Sequence, residues 1–185
     1  MARLLESYKT EIAAALRTEL GIANPMSVPK LSKVVVSMGT GSPMQDKNRL
    51  PAAVEDLARV TGQKPQIRRA RPAVSNFKIR EEHEVGCRVT LRGRRMYEFV
   101  DRLFNAAMPR MRDFRGLNPR SFDGRGNYSM GIPDQSIFAE IDIGKITYNQ
   151  GMNITFVTTA QSDAHARALL VRLGLPLRKT EEQSN

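Results

Sequence analysis

The chain has 185 residues, 41 % of them hydrophobic, one cysteine, and a net charge of +10 from 29 basic and 19 acidic residues. That length and apolar content suit one folded domain with a real core, and no apolar run reaches the 18 residues of a membrane span. A lone cysteine excludes an internal disulfide and fits a reducing cytoplasm, and the charged opening MARLLESYKTEIAAALRTEL lacks the apolar stretch of a secretory signal.

Leu5, Tyr8, Ile12, Leu16 and Leu20 recur every three or four residues and predict an amphipathic helix over Arg3–Leu20, ended by Gly21 and Pro25. LSKVVVSM, Leu31 to Met38, is rich in β-branched residues and predicts a strand. After the loop GTGSPMQD, Lys47–Val60 places Leu50, Val54, Leu57 and Ala58 on one helical face, closed by Gly62. Gln66–Arg69 is a short candidate strand and Arg71–Arg80 a loop. Val85, Cys87, Val89 and Leu91 then alternate with Gly86, Arg88 and Thr90, the pattern of a strand with one buried and one polar, basic face. Gly93 leads into a helix over Arg94–Met108, with Tyr97, Val100, Leu103, Phe104 and Ala107 inward and Pro109 at its end. Arg110–Ile132 is rich in Gly and Arg without a clear period. Ile137–Ile141 and Met152–Thr159 read as strands, Ser162 caps a helix running to Leu173, and Thr180–Asn185 reads as a flexible tail. Four helices and four or five strands predict an α+β fold, an antiparallel β-sheet with helices packed on one face, in a single domain over residues 1–179.

The excess charge sits in the middle of the chain. Residues 59–80 hold seven basic groups and no acid, and residues 88–125 hold ten arginines against four acids. Fifteen of those seventeen cations are Arg, whose planar fork suits phosphate and whose face stacks on bases. Apolar residues (Ile67, Ala70, Val74, Phe77, Ile79) are threaded through the first stretch, so it belongs to a folded rim rather than a solvated basic tail. A polyanion partner follows, and RNA or DNA is the usual one.

Motifs for chemistry are missing. Gly39-Thr40-Gly41 follows a strand, but the dinucleotide fingerprint needs a third Gly where Met44 stands, and Pro43 spoils the entry to the helix. Gly124-Arg125-Gly126 lacks the phosphate-loop lysine and reads as a turn. His83 and Cys87 are two ligands at most, too few for zinc, and Cys87 falls on the apolar side of its strand. No cofactor or metal is expected, and no catalytic set of residues stands out. Phe77, between Arg71 and Lys78, either stacks on an unpaired base or tucks into the core. Gln63 and Thr90 are short polar groups suited to base edges or ribose hydroxyls. An RNA-binding scaffold is the reading these features favour; an RNA-acting enzyme and an architectural nucleic-acid-binding protein are the alternatives.

Several stretches carry a resemblance. VPKLSKVVVSMGTG, TGQKPQIRRAR, FKIRE, VTLRGRRMYEFVDRL, PRMRDFRGLNPRSFDGRGNYSMGI, IFAEID and VTTAQSDAHARALL resemble, in order, the bacterial family of large-subunit ribosomal protein five. The resemblance implies a structural, non-enzymatic protein of the cytoplasmic ribosome, with an antiparallel sheet whose concave face cradles 5S rRNA in the central protuberance. It implies an RNA-contact set of Ser37, Gln63, Lys64, Thr90 and Arg92, where Ser37 replaces the family's usual Asn. Arg71, Ser75, Asn76, Phe77 and Lys78 match the loop that approaches peptidyl-site tRNA, with Pro72 in place of a usual Lys. Asp142, Lys145 and Thr147 match the part facing small-subunit protein thirteen, although Gly144 and Tyr148–Gln150 depart from the usual charged pattern. The implied partners are therefore 5S rRNA, large-subunit rRNA, peptidyl-site tRNA, neighbouring large-subunit proteins and small-subunit protein thirteen, with no membrane.

Overall fold

The computed structural model describes residues 2–41, 48–111, 114–142, 144 and 146–178; Lys145 and the expected tail at 180–185 lie outside the described residues. The chain opens with α1 (Arg3–Ser7), a π-helical turn (Tyr8–Ile12) and α2 (Ala13–Glu19), one continuous helical run that buries Leu16. β1 (Leu31–Gly39) follows, burying Leu31, Val34, Val36 and Met38. α3 (Arg49–Thr61) buries Leu50, Ala53, Leu57 and Val60 at helical spacing. It ends where Gly62 takes φ +64°, a conformation glycine adopts without steric cost, and donates its N–H to Ala58 O at 2.8 Å. β2 (Gln66–Arg69) and β3 (Glu84–Leu91) come next, then α4 (Gly93–Arg102), extended by a π-helical turn at Leu103–Ala107. β4 (Tyr128–Ile132), β5 (Met152–Thr158) and α5 (Asp163–Arg172) complete the order, with Ser162 Oγ accepting the His165 N–H as a helix cap.

The five strands form one open antiparallel sheet in the order β2-β3-β1-β5-β4, and the fold is α+β as expected. One strand lies elsewhere than predicted. Ile137–Ile141 is not a strand: Asp134 accepts the Ser136 N–H at 2.8 Å and winds Gln135–Ile137 into a 3-10 turn, from which Ile137, Phe138 and Ile141 are buried. The strand in that part of the chain is β4, whose Tyr128, Met130 and Ile132 point inward and alternate with exposed Ser129 and Gly131.

The described residues fall into two compact units. The first comprises residues up to Val34, Arg92–Met130 and Thr155 onward. In it α1 packs on α4, Arg3 pairs with Asp101 at 2.8 Å, and Tyr8 donates its hydroxyl to Pro29 O at 2.8 Å. Phe104, from the turn that extends α4, lies 5.6 Å from Phe156 of β5, ring centre to ring centre, so helical residues cover the inner side of that strand.

The second unit comprises Val35–Leu91 and Gly131–Ile154. α3 packs on β3, and β3 is held between β2 and β1. Thr40 donates its N–H to Val85 O at 3.0 Å, and beside that bond the strands come very close. A Cβ at Gly86 would run into the Met38 carbonyl oxygen and sit 3.3 Å from Gly39 Cα, both backbone atoms that cannot rotate away. Gly86→Ala is therefore expected to lower the unfolding free energy by about 1–3 kcal/mol in urea titrations. An unchanged midpoint would show that β1 and β3 part without cost.

Candidate nucleic-acid interface

The site is built on the sheet of the second unit. Along β3, Cys87, Val89 and Leu91 are buried, which turns Arg88 and Thr90 outward, half-exposed. Along β1, Val36 and Met38 are buried and Ser37 is half-exposed by the same alternation. Because β1 and β3 are hydrogen-bonded neighbours, their outward side chains share one face. The register of β2 against β3 adds to it: Gln66 lies opposite Arg88 and Arg68 opposite Gly86, before an irregularity between Arg68 and Arg69. Ser37, Gln66, Arg68, Arg88 and Thr90 thus form one polar face.

Gln63 and Lys64 enter from the end of α3. The left-handed Gly62 turns the chain, Thr61 donates its hydroxyl to Leu57 O at 2.6 Å and Gln63 O at 3.2 Å, and buried Pro65 starts the path into β2. Lys64 is exposed and Gln63 half-exposed just before β2 begins. The structure therefore puts Ser37 and Thr90, two of the five residues expected at this site, on one face, with Gln63 and Lys64 on the stretch of chain that leads into β2. Arg92, exposed at the start of α4, belongs to the first unit. Arg88, Arg68 and Gln66 were not singled out from sequence. The alternation of Val85–Leu91 already placed Arg88 outward, whereas Arg68 and Gln66 needed the register.

Arg71–Arg80 is more ordered than an irregular loop. Val74 and Ile79 exchange N–H···O bonds of 2.9 and 3.1 Å, and Lys78, at φ +53°, closes a tight turn by donating to Ser75 O at 2.9 Å. At the base, Ala70 N–H donates to His83 O and Glu82 N–H to Ala70 O. The result is a short finger with Ser75, Asn76, Phe77 and Lys78 at its tip and Arg71 and Arg80 on its flanks, all exposed. Phe77 is 69 % exposed, which removes the core alternative. His83 Nδ1 accepts the Arg80 N–H at 3.2 Å, and among the described residues no three His, Cys, Asp or Glu side chains could hold a metal.

Most cations of this unit stand apart from its acids. Arg59 pairs with Glu55, and Arg69 with Glu84 at 3.5 Å. Lys64, Arg68, Arg71, Lys78, Arg80 and Arg88 form no ion pair among the described residues, leaving six cations for an external anion.

Asp142 and Thr147 are exposed, and Asp142 accepts the Gly144 N–H at 3.1 Å. Two buried glutamines anchor the segment that carries them. Gln135 donates through Nε2 to Asp56 Oδ2 and Tyr148 O, both at 2.9 Å; Gln150 donates to Gly39 O at 2.8 Å and accepts from Arg49 at 2.9 Å. Burial raises the Asp56 carboxyl from its ordinary value, and nearby Arg59 works against that rise. No periodicity marks such isolated amides, so sequence reasoning had no signal for them.

The pattern described as "Ribosomal protein L5" matches residues 24–80, and that described as "ribosomal L5P family C-terminus" matches residues 84–177. The chain belongs to the ribosomal protein L5 family. It is 56 % identical over 178 residues to the large ribosomal subunit protein uL5 of Rubrobacter xylanophilus, covering 96 % of this chain and 99 % of that one. Identity is 52 % to the uL5 of Psychrobacter cryohalolentis, over 96 % of this chain and all of the relative, and 53 % to that of Clostridium botulinum, over 95 % and 98 %. As a member of the L5 family the chain is a structural ribosomal protein, not an enzyme.

The two faces of β3 can be read out chemically. Burial pushes the Cys87 thiol up to about 11 from an ordinary 9.0, against a smaller opposing effect of a hydrogen bond to the Met38 backbone. Below pH 9 the thiol is protonated folded or unfolded and contributes nothing; between 9 and 11 only the unfolded chain ionises. Cys87 should therefore remove about 2–3 kcal/mol of stability across that window, a loss absent in Cys87→Ala. Native Cys87 should also resist a maleimide at pH 7.5, whereas Thr90→Cys in the Cys87→Ala background reacts at once. The reverse order of reactivity would turn β3 over.

Proposed function

We propose that the chain is the 5S rRNA-binding protein of the large subunit in the cytoplasmic ribosome, seating that RNA on the polar face of its second unit. The observation that carries this reading is the face itself: Ser37, Gln66 and Thr90 offer hydrogen bonds beside Arg68 and Arg88, two cations without ion pairs among the described residues, and Gln63 and Lys64 lie on the chain leading into it. The cations neutralise phosphates and hold position, and the short polar groups meet ribose hydroxyls or base edges. Ser37 keeps a donor and an acceptor but lacks an amide's reach, so its contact runs through a water.

The finger at Arg71–Arg80 reaches peptidyl-site tRNA. Exposed Phe77 supplies a stacking surface, and Arg71, Lys78 and Arg80 supply charge. Pro72 fixes its own φ and stiffens the approach. The segment with Asp142 and Thr147 faces small-subunit protein thirteen, its place kept by Gln135 and Gln150. Large-subunit rRNA and neighbouring large-subunit proteins complete the surroundings.

Capture from total bacterial RNA at moderate salt tests the reading: one enriched band of 5S rRNA is expected, and a smear of all RNAs or equal affinity for duplex DNA would overturn it. Binding that neutralises about six phosphates should give a slope of log affinity against log salt of roughly −4, and a slope near zero would remove these cations from the interface. Thr90→Ala should weaken 5S rRNA binding by about 1 kcal/mol or more, as a lost polar contact does. Full affinity in the folded variant would take Thr90 out of the site.

A further inference from the structure

β2 is an end strand of its sheet, and its register decides which backbone groups are left over. Thr40 donates its N–H to Val85 O, so the peptide joining Val85 to Gly86 turns its carbonyl toward β1 and the Gly86 N–H toward β2. Backbone groups alternate in direction along a strand, so Arg88 faces β2 as Gly86 does. Gly86 lies opposite Arg68 and Arg88 opposite Gln66, which makes these the hydrogen-bonded pairs of the ladder. Ile67, between Gln66 and Arg68, therefore turns its N–H and C=O away from β3, into the open edge. Among the described residues no further strand or bridge pairs with that side of β2. The other end strand differs: β4 is covered where Ser129 donates its N–H to Ser121 O at 3.2 Å.

Side chains give this edge two different sides. Ile67 lies opposite buried Cys87, on the core side of the sheet, yet it is 42 % exposed. The cover that buries Cys87 thus ends before Ile67 and leaves an apolar shoulder. Gln66 and Arg68 turn to the opposite, polar face, and exposed Lys64 and Arg71 stand just before and just after the strand. None of Lys64, Arg68 and Arg71 forms an ion pair among the described residues. The acids of this neighbourhood lie on the β3 side of β2: Glu84 is opposite Arg69, which it pairs at 3.5 Å, and Glu82 donates its N–H to Ala70 O at 3.0 Å.

We propose that the β2 edge takes up an extended segment of another protein as an added strand, one in which acidic and apolar residues alternate. Such a strand draws its main-chain bonds from the Ile67 N–H and C=O. Its residue beside Ile67 sits on the core side and covers the apolar shoulder, so a β-branched side chain fits there. The residues before and after it sit on the polar face, beside Gln66 and Arg68, where carboxylates meet Arg68 and reach Lys64 or Arg71. A second copy of this chain fails those conditions, because its own β2 would set Arg68 and Arg69 against like charges.

The test uses the full chain without RNA, so its outcome is independent of the function proposed above. The probe is a labelled peptide of about seven residues, blocked at both ends, with glutamate and valine in strict alternation. Before it is added, amide hydrogen exchange should find Ile67 fast and Gln66 and Arg68 protected; the reverse would overturn the register on which the edge rests. The probe should bind and slow exchange at Ile67 by about tenfold or more. Lysine in place of every glutamate should abolish binding, and a scrambled peptide of the same composition should bind about tenfold more weakly. Ile67→Pro removes the outward N–H but no bond to β3, and should weaken binding about tenfold with the melting temperature little changed. Ile67→Ser keeps that N–H and loses the apolar shoulder, for a loss of about fivefold; it carries the test should the proline variant not fold. A probe that does not bind, binding that leaves the Ile67 amide exchanging freely, equal affinity for the scrambled peptide, or full affinity in folded Ile67 variants would each overturn the proposal. So would a dimer of the chain alone that protects Ile67, which would give the edge to a second copy.

Discussion

Everything in the second unit depends on β3 meeting two opposite environments along one strand. Its pleat sends Cys87, Val89 and Leu91 into the core and leaves Arg88 and Thr90 on the far side. Burying those three side chains contributes several kcal/mol, at about 25 cal/mol per Å² of apolar surface. A slip of one residue would bury Arg88 and Thr90 in their place, so the register is not negotiable. Gly86 tightens the same constraint, because only a residue without a Cβ lets β1 approach there. The polar face is the necessary back of a well-buried front.

The outer edge of that face is β2, an end strand of the sheet. An open edge with exposed Ile67 invites another strand to pair with it. The chain counters this by composition. Pro65 removes a donor just before the edge, Arg68 and Arg69 put charge along it, and four residues suffice for its length. The cations of the polar face also oppose pairing with a second basic copy, so solubility and the proposed binding draw on the same residues.

A common division of labour runs through the charged residues. Carboxylates serve folding: Asp123, Asp163, Asp134 and Asp142 all accept backbone N–H bonds in turns. The Asn127 amide and the backbone N–H groups of Asn127 and Arg125 hold the Asp123 carboxyl below its usual range, a sign that the anion is stabilised by donors and needs no arginine. Ion pairs cluster instead on helices, as in Arg59–Glu55, Arg94–Glu98 and Arg172–Glu19, exposed contacts of small energetic weight. Loops therefore keep their shape while their arginines stay available. A net charge of +10 sets all 29 cations against all 19 acids, whereas binding depends on how few of the cations those acids hold in place.

This division also explains what could be read from sequence. α3, β1 and β3 were legible because buried residues at period 3.6 or 2 must repeat, and the Gly62 cap was legible because a left-handed end favours glycine. Tyr128–Ile132 was not, since Ser129 and Gly131 fill its outward positions and neither marks a strand. Ile137–Ile141 misled for the opposite reason: Ile137, Phe138 and Ile141 are buried from a turn that Asp134 organises, so apolar content without the Asp134-to-Ser136 bond pointed to the wrong element. At the interface, Thr90 and Arg88 follow from alternation alone. Gln66 and Arg68 reach the same face only through pairing with β3, and the finger's order rests on the Val74–Ile79 exchange, between two residues that look like any others in a basic loop. Periodicity reveals what is repeated, while hydrogen bonds made once, between residues far apart or in a turn, have no period to reveal them.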